Sequence, residues 1–378
     1  MNSQCGVSRR SFLAGTASLA ASAVTLATVP GWAKDESDEE KKIGFALVGI
    51  GNLSMGQLLP AFAKCKTARP AALVSGHPDK AKQQAEKYGI DPKNIYNYQN
   101  YDTIRDNPEV DVIYIVLPNG MHAEYTIRGH QAGKHVLCEK PLANTSDECQ
   151  EMIATCRRAN VKLMTAYRKY FEPSSVALKK LVDSRKLGRL KLIHSAFTFT
   201  LPPQQVWHLK RELAGGGSLW DVGVYCVNAV RWLTGLEPVE AAGYSWSADP
   251  ERFKEVDESI AFQLKFPDDL FVQASSSFAA AKASFIQIHG EKGWVAVDPA
   301  FAYNEKKSLF GQIGGKWFSK EYPPSEEFHL ELDHLAECIR SNREPEPDGL
   351  TGMRDVAVME TIYEAARLGR PVAIANRS

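Results

Sequence analysis

Residues 45–56 read Phe45-Ala-Leu-Val-Gly-Ile-Gly-Asn-Leu-Ser-Met-Gly56. Phe45 to Val48 is a short apolar run of strand length. Gly49 suits a tight turn, and Gly51 keeps a Cβ out of the path of an approaching ligand. Ser54 takes the third small position, where helix and strand pack closely. The turn through Gly49, Gly51, Asn52 and Leu53 leaves free backbone N–H groups at a helix N-terminus, a setting that suits a pyrophosphate. The Gly-x-Gly-x-x-small pattern alone also fits an ordinary glycine turn. A strand before it and a helix after it are what a dinucleotide site requires.

Outward from this stretch, strands alternate with helices. Strands are expected at 44–49, 71–75, 95–98, 111–117, 135–139 and 162–166, with helices at 55–64, 79–88, 122–132 and 146–160 between them. That alternation predicts an α/β Rossmann domain, a doubly wound parallel sheet, over 44–166. After Tyr167 the pattern changes. A helix at 174–184 is followed by strand-like runs at 190–198, 239–246, 259–266, 270–277, 285–289 and 293–297. Turn residues such as Pro267-Asp268-Asp269 separate them. One helix, near 218–233, interrupts the series, and two more, near 326–341 and 353–368, close it. The second domain, 167–378, is therefore expected to be α+β, with a large open and mainly antiparallel sheet. Its exposed face leaves a monomer or a homodimer open.

The N-terminus carries a separate signal. Ser8-Arg9-Arg10-Ser11-Phe12-Leu13 precedes an Ala-rich apolar segment over 14–29, and Gly31-Trp32-Ala33 offers small residues for cleavage. The reading is a twin-arginine export signal over 1–33, as opposed to a chance Arg-Arg before a hydrophobic anchor. Residues 34–43 form a short charged arm. The expected location is the periplasm, reached through the twin-arginine machinery, with no stable membrane anchor after cleavage. That route carries folded proteins, so a nucleotide domain can travel with its cofactor inside.

The 378 residues hold 45 basic and 45 acidic side chains, a balance that gives no support for a nucleic-acid partner. The seven cysteines form no Cys-x-x-Cys pair and no zinc spacing, so no metal site is expected and the thiols read as buried apolar residues.

Strand two bears on the choice of nucleotide. An NAD site carries an acid at the end of that strand, on the ribose 2′-hydroxyl. Here Ser75 stands in its place, with Lys80 within reach. A hydroxyl and a cation suit a 2′-phosphate, so NADP is preferred. Asp79 is the rival acid, but it lies in the first turn of the next helix, where it can simply cap.

Two further segments look chemical. Lys140 ends a parallel strand at its carboxyl edge, where ligands bind in open α/β sheets, and Pro141 biases it away from helical backbone. In Gly215-Gly-Gly-Ser-Leu-Trp-Asp221-Val-Gly-Val-Tyr225, Asp221 and Tyr225 are four apart and share one helix face. A carboxylate and a phenol placed so can grip neighbouring hydroxyls of a sugar.

With Gly49-x-Gly51, Leu117-Pro118-Asn119, Glu139-Lys140-Pro141, Tyr167-Arg168 and this glycine-led helix, the chain resembles the glucose–fructose oxidoreductase/inositol dehydrogenase (Gfo/Idh/MocA) family. Within it the likeness is to the periplasmic glucose–fructose and aldose–aldose oxidoreductases. The resemblance implies that Lys140 orients the sugar and lowers the phenol's pKa, that Tyr225 is the acid/base, and that Asp221 binds a sugar hydroxyl. Ser75 and Lys80 would hold the 2′-phosphate and Tyr98 would lie near the adenosine. Asn119, Glu139 and Arg168 would line the nicotinamide end. Trp207 matches a Trp-Arg pair of the family, but His208 stands where the arginine would be. Tyr303 either reaches the cofactor or simply packs.

The implied activity is oxidation of an aldopyranose at C1 to an aldonolactone. A second sugar would then be reduced to an alditol by ping-pong, with NADP(H) tightly bound. A free phenol titrates near pH 10, and an ammonium beside it favours the phenolate, so Lys140 and Tyr225 make sense as a unit. Two other readings stay open: an NAD(P)-dependent glycosidase on the same fold, and a nucleotide-bound sugar sensor without turnover.

Overall fold

A computed structural model describes residues 41–324 and 327–375. The export signal and all but the last residues of the arm lie outside the described residues.

Six strands form the first sheet: β1 Ile43–Val48, β2 Ala68–Val74, β3 Ile95–Tyr96, β4 Val112–Ile115, β5 His135–Glu139 and β6 Leu163–Ala166. Their order is β3-β2-β1-β4-β5-β6 and every pair is parallel. The order reverses between β1 and β4, which opens a crevice at the carboxyl ends of the strands. Phe45–Val48, Leu73, Val74 and Val112–Ile115 are fully buried, as a sheet covered on both faces requires. Local signals close the connecting helices. Gly89 caps Pro78–Tyr88 in the left-handed conformation. Thr145 and Glu148 form a reciprocal capping box at the start of Ser146–Ala159.

The second sheet has nine strands: β7 Leu190–Thr198, β8 Glu240–Trp246, β9 Ser259–Lys265, β10 Phe271–Ser277, β11 Ala283–Gly290, β12 Gly293–Asp298, β13 Lys307–Ile313, β14 Lys316–Tyr322 and β15 Val372–Ala373. Their order is β14-β13-β12-β11-β7-β10-β9-β8-β15. Only β7 and β10 pair in parallel; the other seven pairings are antiparallel. Three of these strands were not foreseen. The β13–β14 hairpin turns on Gly314-Gly315, but its strands carry Lys307, Lys316, Lys320 and Glu321, so no apolar alternation marks them. β14 is an edge strand with most of its residues exposed. β15 has only two residues.

Three helices tie the sheets to the site. Val224–Thr234 packs on β7 and β10 and carries Tyr225 in its first turn. Gly349–Leu368 lies against both β8 and the helix Ser146–Ala159. Glu327–Arg340 returns to the first sheet: Asp333 accepts hydrogen bonds from the backbone N–H groups of Lys66 (2.9 Å), Thr67 (2.8 Å) and Ala68 (3.2 Å). Phe328, Leu332, Leu335 and Ala336 of that helix join the core around Phe45, Leu47 and Leu73. The six cysteines among the described residues are all buried and none is in a disulfide.

Candidate active site

The glycine turn after β1 is built as its residues demand. Gly49 has φ +96°, and a Cβ there would lie 2.4 Å from the Val116 carbonyl oxygen. Ser54 is fully buried and its hydroxyl donates to the Gly49 carbonyl (2.6 Å), pinning helix to turn. A Cβ on Gly51 would meet nothing within 4 Å. The space over Gly51 is therefore open, and a pyrophosphate fits there against the N–H groups of the turn.

At the end of β2, the Ser75 hydroxyl accepts from the His77 N–H (3.0 Å). Lys80 bends back so that its Nζ donates to the Ile50 carbonyl across the glycine turn (3.3 Å). Ser75 and Lys80 thus stand together at the end of β2, beside the glycine turn. The Tyr98 ring covers Gly76, 3.2 Å from where a Cβ would sit, and packs edge-on against Tyr125.

Lys140 follows β5 directly. Its Nζ donates to the Asp221 backbone carbonyl (2.7 Å) and to Asp221 Oδ1 (3.2 Å), and lies 5.1 Å from the centre of the Tyr225 ring. Two residues from one helical segment and one from the other domain therefore meet at one point. Asp221 sits in a π-helical turn, Leu219–Gly223, and Tyr225 in the α-helix that continues it. The wide turn is seated by its glycines. A Cβ on Gly217 would lie 1.8 Å from the Asp257 carbonyl oxygen, and one on Gly216 would lie 2.6 Å from the Tyr363 hydroxyl. The Gly217 N–H donates to both the Asp257 carboxylate (3.1 Å) and Tyr363 Oη (3.0 Å).

Charge and burial compete here. Burial opposes the Lys140 ammonium, but Asp221 and Tyr225 outweigh it and hold its pKa above the ordinary lysine value. Burial would raise the Asp221 carboxyl, yet Lys140 and then His208 hold it below the usual range. His208 is 9% exposed, stacked on Trp207 with ring centres 3.7 Å apart, and its Nε2 stands 3.8 Å from Asp221 Oδ2. Burial pushes its pKa down. Trp207 thus acts on the site through His208.

Beneath the phenol lies a buried charged layer. The Arg168 guanidinium is 5.3 Å from the Tyr225 ring centre and 5.1 Å from that of Tyr303. It also donates to Glu327 and to the Phe301 carbonyl. Tyr303 is 43% exposed, so it closes the rim of this layer. Glu139 accepts from the Tyr114 hydroxyl (2.8 Å), and Glu331 lies on the other side of that hydroxyl. Burial drives the pKa of Glu139 up, and burial with the Glu139 charge drives Glu331 well up. Asn119 is buried and its side-chain amide donates to the Ala214 carbonyl (2.8 Å), which joins the two domains at the lip of the crevice.

Tyr114, Glu327 and Glu331 lie outside every motif of the sequence. The available signal was Glu327 and Glu331 four apart on one helix face, interleaved with Phe328 and Leu332. Two acids on a buried face call for a buried cation. Among the described residues, no group of three or more His, Cys, Asp or Glu side chains could hold a metal ion.

The comparisons with known proteins agree with this architecture. Residues 43–167 match the model of an oxidoreductase family with an NAD-binding Rossmann fold, and residues 175–296 match the GFO/IDH/MocA C-terminal domain. The structure of aldose–aldose oxidoreductase from Caulobacter crescentus, complexed with glycerol, is 42% identical. It superposes with a TM-score of 0.85 over 88% of this chain and 100% of that one. D-xylose 1-dehydrogenase [NADP(+)] of Haloarcula marismortui is 28% identical over 340 residues, 88% of this chain and 93% of the relative. Trans-1,2-dihydrobenzene-1,2-diol dehydrogenase of Xenopus laevis is 28% identical over 84% of this chain and 96% of its own length. A levoglucosan dehydrogenase complex with NADH shares the fold at a TM-score of 0.79, with 19% identity over 89% of this chain and 100% of that one. With both of its domains matched in this order, the chain belongs to the GFO/IDH/MocA family of oxidoreductases.

Proposed function

We propose that this protein is an exported sugar oxidoreductase that keeps NADP(H) tightly bound. It oxidises an aldopyranose at C1 to the aldonolactone and reduces a second sugar to the alditol, by ping-pong in one site. The observation that carries the proposal is Lys140 held between Asp221 and the Tyr225 ring at the carboxyl edge of β5. The Caulobacter aldose–aldose oxidoreductase and the NADP-dependent xylose dehydrogenase support the same substrate class. Ser75 and Lys80 favour NADP over NAD, because a carboxylate in their place would repel a 2′-phosphate.

The bound nicotinamide supplies hydride transfer to and from C1. The rest falls to the side chains. Asp221, ionised by Lys140, accepts a hydrogen bond from a sugar hydroxyl and fixes the ring in the crevice. Tyr225 takes the proton of the C1 hydroxyl during oxidation and returns it to the carbonyl oxygen during reduction. Lys140 and Arg168 place positive charge beside the oxygen atoms between which that proton moves. Closed cycling suits a compartment outside the cytoplasm, where released NADPH would not be replaced, and this is why the cofactor stays in place. The decisive experiment mixes the purified protein, without added nucleotide, with single aldoses and identifies the acid and alditol formed. Equal amounts of the two are expected. Protein that shows no nucleotide absorbance and needs added NADP stoichiometrically would overturn tight binding and ping-pong.

A further inference from the structure

We propose that the same site also opens the pyranose ring, which makes the protein an aldose mutarotase, with His208 serving the ring oxygen. The inference rests on the sugar chemistry of the preceding section and extends it. Reduction to an alditol needs a carbonyl at C1, whereas an aldose in water is almost entirely a cyclic hemiacetal. Opening the ring takes one proton from O1 and delivers another to O5. That requires two proton-handling groups on either side of C1.

The site has two such groups, one at each oxygen of the Asp221 carboxylate. Oδ1 holds Lys140, which lies over the Tyr225 ring; Oδ2 faces His208 Nε2. His208 is fixed by the Trp207 stack and by an edge contact with Phe278. Its Nδ1 is buried with no partner at hydrogen-bond geometry, and the Gln205 backbone beside the ring favours its charged form. A buried imidazole beside a carboxylate is suited to carry a proton.

The step balances without an oxidant. The Tyr225 oxyanion accepts the O1 proton, C1=O1 forms as C1–O5 breaks, and the protonated form of His208, less populated but a stronger acid because burial lowers its pKa, donates its proton to O5 from beside Asp221. Reversal after rotation about C1–C2 gives the other anomer. Hydride transfer before reversal commits the sugar to the alditol, and Tyr225 then already carries the proton that O1 needs.

The test uses the protein as purified, with its nucleotide. Freshly dissolved α-D-xylose is added and its two anomers are followed separately by the NMR signals of their C1 protons. Anomerisation faster than in buffer, and proportional to enzyme, is expected. H208Q should lose this acceleration on the order of a hundredfold. In a second arm the bound nicotinamide is first reduced by a pulse of donor sugar, then oxidised in a single turnover by xylose or by glyceraldehyde, which is too short to cyclise. H208Q should slow the xylose reaction at least about tenfold more than the glyceraldehyde reaction. Wild-type anomerisation at the buffer rate, or equal slowing of both acceptors in H208Q, would overturn the inference. Either result leaves lactone and alditol formation intact as a reading. Anomerisation without any lactone or alditol would instead remove that reading and uphold this one.

Discussion

Replacing Lys140 with methionine tests the centre of the site. The side chain keeps most of its length, one atom shorter, and loses its charge. Lys140 Nζ is 5.1 Å from the Tyr225 ring centre. One unit charge at that separation contributes about 3 kcal/mol at an effective dielectric near 20. The proposed reaction moves negative charge between the sugar O1 and the Tyr225 oxygen, so this is the stabilisation at risk. It converts to about two orders of magnitude in rate. Arg168, 5.3 Å from the same ring, remains and sets a floor under the loss. The Asp221 carboxyl, held ionised chiefly by Lys140, also loses its partner, so sugar binding weakens at the same time. Stopped-flow reduction of the bound nicotinamide by an aldose isolates the first half-reaction, and thermal melting checks the fold. Lys140→Arg, which keeps the charge, should recover part of the rate. A Lys140→Met rate within about threefold of wild type, with the cofactor retained, would refute the electrostatic argument.

Three other outcomes follow from the geometry. Lys80→Ala should weaken NADP(H) retention roughly tenfold and leave NAD(H) affinity nearly unchanged, read by fluorescence titration of the stripped protein. Gly217→Ala places a Cβ 1.8 Å from the Asp257 carbonyl oxygen, and should cost about 3 kcal/mol in denaturant melts and dislodge Asp221. Glu172 is fully buried with Lys169 at 3.0 Å and the Ser174 and Ser175 N–H groups on its carboxylate. Burial would raise its pKa, but the lysine and those hydrogen bonds push it from 4.5 to about 2. A carboxyl depressed by folding stabilises the protein above the unfolded value and loses that contribution as pH falls from about 4.5 to about 2. The contribution is about 3 kcal/mol, and Glu172→Gln should flatten that part of the stability–pH curve.

Much of this molecule is written locally. The alternation from Phe45 to Ala166 and the turn through Gly49 and Gly51 name a parallel sheet and a nucleotide cradle, because strand, turn and helix signals act between near neighbours. Lys140 at the end of β5 is legible for the same reason: topology puts that edge at the ligand. Asp221 and Tyr225 could be placed together by helical spacing, although a π turn carries one and an α-helix the other. The hairpin of β13 and β14 was not legible, since an edge strand rich in lysine buries too little to show a pattern.

The remaining decisions belong to tertiary structure. Lys140 and Asp221 are 81 residues apart, and nothing in either segment specifies that one ammonium caps both the carbonyl and the carboxylate of the other. Glu327 reaches Arg168 across 159 residues, bringing a buried acid under the phenol from a helix whose sequence does not name the cation it meets. His208 read as a departure from a family pair; only packing put its ring on Trp207 and its nitrogen toward Asp221. Backbone and apolar periodicity are properties of a segment. The strength of a charge is set by what burial brings beside it, and that is known only once the chain has closed.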